Sequence, residues 1–295
     1  MTSTAPQMQL LESHQSDVGG LPIARALPNR LRRCVGAWCF LDHAGPAPLQ
    51  GRGMNVAPHP HTGLATFSWM IEGEILHRDS LGSEQVLRPG QVNLMTAGRG
   101  IAHSEESQSD FLHLAQLWIA LPDADRFCAP SFEHFAVLPK LEHEGFSITL
   151  LAGELLGETS PVPMKSPMLG ADLACTQPRE AAFQLDPGFE HGVMVLEGSA
   201  KVNGETVTPG RLLYLEPGFE RLTIATDAPS RMLLLGGAPW ARPPLLWWNF
   251  VGRTREEIEQ FAAEWNSLAG HFDGVKVEGY AGERLLAPPV PRIKE

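Results

Sequence analysis

Leu64-Ala65-Thr66-Phe67-Ser68-Trp69-Met70-Ile71-Glu72-Gly73-Glu74-Ile75-Leu76-His77 carries the argument for the fold. Phe67, Trp69 and Ile71 fall on one face of an extended segment, and Thr66, Ser68 and Met70 on the other. That is the period-two pattern of a β-strand. Glu72-Gly73-Glu74 then reverses the chain into Ile75-Leu76-His77, completing a hairpin. Outward from it, between Leu31 and Leu117, short apolar runs alternate with turn signals, Pro89-Gly90 before Val92 and Leu94 among them. Many short strands separated by such turns predict an all-β sandwich or barrel. The load of 29 Gly and 25 Pro in 295 residues excludes a helical bundle, and 43% hydrophobic residues are ample for a core.

The same grammar recurs. Val193-Met194-Val195-Leu196 runs into Glu197-Gly198, then come Val202, the Asn203-Gly204 turn and Pro209-Gly210 before Leu212-Leu213-Tyr214. Glu72-Gly73 matches Glu197-Gly198 at an offset of 125, and Pro89-Gly90 matches Pro209-Gly210 at 120. The chain is therefore read as a duplication, with Pro122, Pro130 and Pro139 punctuating the connection. The expected layout is a polar, flexible leader at 1–20, a first domain at 21–135, a second at 136–250, and a helix with tail at 251–295. Thr254-Arg255-Glu256-Glu257 is a capping box for that helix, with Thr254 as N-cap. Ile258, Phe261, Ala262, Trp265 and Leu268 follow at helical spacing, and Gly270 is the expected stop.

A net charge of −11 argues against direct nucleic-acid binding, and the basic run Asn29-Arg30-Leu31-Arg32-Arg33 is read as a solvated segment. Cys34, Cys39, Cys128 and Cys175 are scattered without a C-x-x-C pair, which suits a reducing compartment. No apolar signal segment and no membrane-spanning run is visible, so the expected location is the cytoplasm, with no membrane partner.

Pro58-His59-Pro60-His61-Thr62-Gly63 sets two imidazoles two residues apart, on one face of an extended segment. Pro60 costs no ladder donor if the segment lies at a sheet edge. Thr96-Ala97-Gly98-Arg99-Gly100-Ile101-Ala102-His103-Ser104-Glu105 repeats the device, with His103 and Glu105 sharing a face after a glycine-rich turn. On neighbouring strands these pairs would converge on one divalent cation, Fe(II), Mn(II), Co(II), Ni(II) or Cu(II). Four protein ligands leave coordination positions open for a substrate and O2. Glu105 is in addition the candidate base.

Other polar residues are read as plainer. His77 and His113 fit outer positions around the metal or ordinary packing, and His14, His43, His134, His143, His191 and His271 fit the surface. Glu72, Glu74 and Asp79 are read as solvated turn charges, Gln116 and Trp118 as core with lining of the cavity as the alternative, and Phe67, Trp69 and Leu94 as walls of a dry cavity. Carried into the second copy, His59 and His61 fall on Gln184 and Asp186, and His103 and Glu105 on Thr223 and Ala225. A second metal shell is not expected there.

The H-P-H segment, His77-Arg78-Asp79-Ser80-Leu81-Gly82 and the Met95–Glu105 block resemble the pirin family of bicupins. Val35-Gly36, Asp42-His43-Ala44-Gly45-Pro46, Gln116-Leu117-Trp118 and Asn249-Phe250-Val251 extend the likeness. The resemblance implies two antiparallel cupin (jelly-roll) barrels in tandem with a C-terminal amphipathic helix. It implies one Fe(2+) per chain in the first barrel, held by His59, His61, His103 and Glu105. Some members of that family have quercetin 2,3-dioxygenase activity, which implies a small aromatic substrate, a flavonol or related enol, together with O2. The mammalian member is a redox-sensitive transcriptional co-regulator, so a non-enzymatic iron-binding regulator with a protein partner is the alternative. Thr62 and Ala65 stand where the family commonly has Arg and Glu, which bears on the substrate rather than on the ligands.

Overall fold

The computed structural model describes residues 5–49 and 53–291, and they form the expected all-β architecture with one α-helix. The first barrel contains strands β1 (Asn55–His61), β2 (Leu64–Glu72), β3 (Ile75–Asp79), β4 (Glu84–Leu87), β5 (Val92–Thr96), β6 (Ile101–Ser107) and β7 (Phe111–Ala120). Its small sheet has the order β1-β6-β3-β4; its large sheet runs β5-β2-β7 and on to the strand Trp38–Pro48. The second barrel contains β8 (Arg179–Gln184), β9 (Glu190–Glu197), β10 (Ala200–Val202), β11 (Glu205–Val207), β12 (Arg211–Leu215), β13 (Arg221–Thr226) and β14 (Ser230–Gly237). Its sheets, β8-β13-β10-β11 and β12-β9-β14 followed by Met168–Cys175, repeat the first pattern strand for strand. The duplication is therefore structural.

The ladders correct one detail of the sequence alignment. His77 pairs with Glu105 across β3 and β6, and at the same place in the second barrel Val202 pairs with Ile224. Leu222 then pairs with Phe183, as His103 pairs with His59. The counterparts of the four expected ligands are thus Phe183, Leu185, Leu222 and Ile224, each one residue from the positions assigned by offset alone. A slip of one residue turns every side chain to the other face of its strand. All four counterparts are buried in one apolar core with Val193, Val202, Leu213 and Leu234.

The chain divides into two compact units less simply than a tandem repeat. One comprises the residues up to Ser16, Ile23–His43 and Phe135–Ala241; the other comprises Asp17–Pro22, Ala44–His134 and the chain from Arg242 onward. Trp38 explains part of the exchange: its indole N–H donates to the Leu169 carbonyl at 2.9 Å inside the second barrel's unit. The leader is not loose throughout. Met8–Glu12 is a strand paired with β12, from Met8 opposite Leu215 to Glu12 opposite Arg211, and Leu11 is fully buried. Residues 1–4 lie outside the described residues. A five-residue strand in a glutamine-rich context carries too little periodic signal to be seen without its partner.

Helix α1 (Arg255–Ser267) starts as expected, with the Thr254 hydroxyl accepting from the Glu257 N–H at 3.3 Å. Glu257 reaches back to the Arg253 N–H at 2.7 Å and also takes a two-point ion pair from Arg126. These partners, the Arg126 guanidinium first, hold its carboxyl down at about 2. The helix ends before Gly270, with Leu268 as a left-handed cap at φ 51°. Ile258, Phe261, Ala262 and Trp265 bury against Ala102, Phe250 and Phe272, giving the first barrel's unit an aromatic core on the back of β6.

Candidate metal centre

β1 is the edge strand of its sheet, as Pro60 requires. Its register against β6 shifts between His103–His59 and Glu105–Val56, so β1 carries one extra residue at Ala57-Pro58. Such a bulge re-aims the side chains beside it. The free edge is covered by the C-terminal part of the same unit. Thr62 bridges Phe250, the Val251 N–H donates to the Thr62 carbonyl at 3.0 Å, and the Leu285 N–H donates to Pro58 at 2.8 Å. Gly63 has φ +70°, and a Cβ there would sit 2.1 Å from the Val251 carbonyl oxygen, so only glycine fits under this strap.

His59, His61 and His103 are buried and bring one ring nitrogen each within 4.8 Å of the others. The Nδ1 atoms of His59 and His61 lie 2.9 Å from the Ala57 carbonyl and 3.1 Å from the Asn249 carbonyl. A carbonyl can only accept, so each Nδ1 carries the proton and each Nε2 presents a lone pair. Nε2 of His61 stands 3.1 Å from Nε2 of His103. Two nitrogens that share one ion at about 2.1 Å are roughly 3.0–3.4 Å apart for right-angle to tetrahedral geometry. The donor set therefore fits a divalent transition metal. Burial pushes His59 down to about 4, and His61 and His103 well below the ordinary imidazole value, with neighbouring imidazoles adding to it. Neutral rings are the ones a cation needs.

Glu105 stands with His103 and His77 in a second group of ligating atoms, again within 4.8 Å, rather than in the three-histidine group. It is half-buried, and that burial pushes its carboxyl up. His77, read as an outer position around the metal or as packing, and Asp79, read as a solvated turn charge, are both buried and hydrogen-bonded to each other at 3.1 Å. Burial raises Asp79, but its hydrogen bonds to His77 and Ser83 outweigh this and hold it below the usual carboxylate range. The i, i+2 spacing of His77 and Asp79 matches that of both ligand pairs, and this was the available signal. Asn249, which orients His61, left none: its main-chain oxygen is used, at a separation of 188 residues.

Trp118 packs edge-on against His61 at 5.0 Å and so lines the site. It pairs with Thr66, on the face that also carries Ser68 and Gln116. Phe67, Trp69 and Leu94 occupy the opposite face, so they do not wall the cavity as expected. Ser68, Gln116 and Asn93 form instead a polar row across β7, β2 and β5, with the Ser68 hydroxyl donating to Gln116 at 2.8 Å. Thr62 and Ala65 are buried; the Thr62 hydroxyl finds no hydrogen-bond partner among the described residues. His43 and His191, expected at the surface, are buried as well, and burial pushes both down to about 4.

Comparison with known proteins now decides the family. Residues 20–119 match the Pirin model and residues 170–273 the Pirin C-terminal cupin domain. A "Pirin-like protein" of Caulobacter vibrioides is 35% identical over 278 residues, 88% of this chain and 92% of that one. The chain belongs to the pirin family. Among pirins and their neighbours, a Pseudomonas aeruginosa protein named "Putative quercetin 2,3-dioxygenase" is 51% identical over 276 residues, 92% of this chain and 87% of its own length. The crystal structure of a quercetin 2,3-dioxygenase from Acinetobacter baumannii superposes with a TM-score of 0.93 at 46% identity, covering 98% and 97% of the two chains. The two domains are thus cupins, as the resemblance implied.

Proposed function

We propose that this pirin is an Fe(II)-dependent dioxygenase that cleaves a flavonol such as quercetin or a related aromatic enol. The observation that carries the reading is the triad of buried imidazoles whose ring nitrogens converge, with a carboxylate raised by burial beside them. The names carried by the Pseudomonas aeruginosa and Acinetobacter baumannii relatives point the same way. When bound, the metal would polarise the substrate's hydroxyl and carbonyl and bring O2 to it. His59, His61 and His103 would hold it, with Glu105 as fourth ligand or base. Glu105 accepts the substrate's hydroxyl proton at its carboxylate, a task for which a raised carboxyl is suited. Trp118 offers an aromatic face next to His61, and Gln116 and Ser68 offer polar partners for substrate oxygens. Among the described residues no helix is long and apolar enough to cross a membrane, and the sequence has no C-x-x-C pair among its four cysteines, which favours the reducing cytoplasm.

The test is anaerobic loading with Fe(II) followed by oxygen uptake on adding quercetin. Uptake that tracks the iron content, with loss of the flavonol absorbance, is expected. Glu105→Gln should retain substrate binding and lose on the order of 10²–10⁴ in rate. Loaded protein that consumes no oxygen with any flavonol overturns the reaction.

A further inference from the structure

Behind the three histidines lies a chain of hydrogen bonds that points in one direction. His103 Nδ1 stands 3.3 Å from His77 Nδ1, and His77 Nε2 stands 3.1 Å from Asp79 Oδ2. The other carboxylate oxygen, Asp79 Oδ1, accepts the backbone N–H groups of Leu81 at 2.9 Å and Ser83 at 3.0 Å. His77 is 3% exposed and Asp79 1%, so water does not exchange for these partners. The His77 ring is also clamped against Phe132, stacked at 4.4 Å and 15°.

We infer that Asp79 and His77 are positioning residues that fix the tautomer of His103, so that its Nε2 offers a lone pair to the metal. The inference rests on the metal site proposed above. An ionised Asp79 can only accept, so His77 must donate from Nε2. In that arrangement the 3.3 Å Nδ1–Nδ1 contact has His77 as acceptor and His103 as donor. The proton on His103 is thereby kept away from the cation, and the ring's basicity is raised as in other carboxylate-histidine-metal chains. The second barrel replaces the His77 position with Val202 where the ligand positions are apolar.

Asp79→Asn tests the direction of the chain. The two backbone N–H groups at Oδ1 will hold the amide oxygen there, which turns the amide NH2 toward His77 Nε2. His77 must then donate from Nδ1, and His103 is left with its proton on Nε2, facing the metal. Co(II) affinity, measured by chelator competition and the visible cobalt spectrum, should fall about 10–100-fold. His77→Leu, which leaves the tautomer free, should cost less, and Asp79→Asn in that background should add nothing. Unchanged affinity in Asp79→Asn overturns the relay; so does a loss that persists in the His77→Leu background. Nitrogen NMR of the Zn(II)-loaded native protein tests it without any variant. Protons on Nδ1 of His103 and Nε2 of His77 are expected, and a proton on Nδ1 of His77 overturns it. Native protein that binds neither Co(II) nor Zn(II) overturns the metal site and the relay together, whereas native binding with an unaffected Asp79→Asn overturns the relay alone.

Discussion

The two barrels have the same strand order and opposite interiors. In the first, β7, β2 and β5 set Gln116, Ser68 and Asn93 in one row; in the second, β14, β9 and β12 set Leu234, Val193 and Leu213 there. His59, His61, His103 and Glu105 face Phe183, Leu185, Leu222 and Ile224 in the same comparison, and His77 faces Val202. Position by position, the second barrel has an apolar core where the first has a polar site. A barrel that turns its interior over to function must find stability elsewhere. The first unit does so on the outside of β6, where Phe250, Phe261, Trp265 and Phe272 bury with Ala102. Aromatic side chains each bury about 150–250 Å², so this cluster adds to the buried strand residues such as Phe67, Trp69 and Leu94. The segment from Arg242 onward is therefore part of the unit that holds the three histidines, and its Asn249 carbonyl orients His61.

The largest expected effect follows from that displaced core. Phe261→Ala should destabilise the first unit by about 3–5 kcal/mol, as large-to-small changes at fully buried aromatic positions do. Thermal unfolding followed by calorimetry should show the first unit's transition fall while the second unit's stays. Equal loss in both transitions would break the idea that the two units draw on separate cores.

His191 offers the opposite case, a polar residue stranded in the apolar barrel. It is 1% exposed, and neither ring nitrogen has a hydrogen-bond partner among the described residues. Its replacement by Leu should stabilise the protein by about 1–3 kcal/mol at neutral pH. The advantage should grow on acidification. Burial pushes the folded imidazole down to about 4, while the unfolded chain titrates near 6.5. Between those values the unfolded state binds the proton and the folded state refuses it, so native stability falls as pH drops from about 6.5 to 4. Urea unfolding at pH 7 and pH 5 checks this; a variant whose advantage shrinks at pH 5 would contradict it.

Much of this was legible in the sequence, and what was not has a physical reason. The hairpin at Glu72-Gly73, the helix cap at Thr254 and the His59, His61 and His103 convergence are local signals, written in spacings of two or three residues. The counterparts in the second barrel were misplaced by one position, because an offset read from turns does not see where a loop absorbs a residue. The Asp79 carboxylate reads as a turn charge until β6 is seen beside β3. Met8–Glu12, the covered edge of β1 and the Asn249 carbonyl depend on pairings far apart in the chain, for which sequence periodicity has no symbol.

The smallest effect on stability is expected where one interior is rewritten as the other. Ser68→Val and Gln116→Leu together copy two positions of the second barrel's row into the first and replace both partners of one hydrogen bond. Replacing hydrogen-bonded partners by apolar groups is close to neutral, within about 1 kcal/mol. Flavonol binding, followed by fluorescence quenching of the metal-loaded protein, should weaken by about tenfold or more while metal content stays constant. Unchanged binding would remove the polar row from the substrate's surroundings.

The central claim is that the duplicated fold carries its metal in one barrel only. Elemental analysis of protein purified without a chelating tag tests it most directly. About one divalent transition metal per chain is predicted, falling to background in a folded His59→Ala, His61→Ala variant. Two metals per chain, or a variant that keeps its metal, would contradict the account.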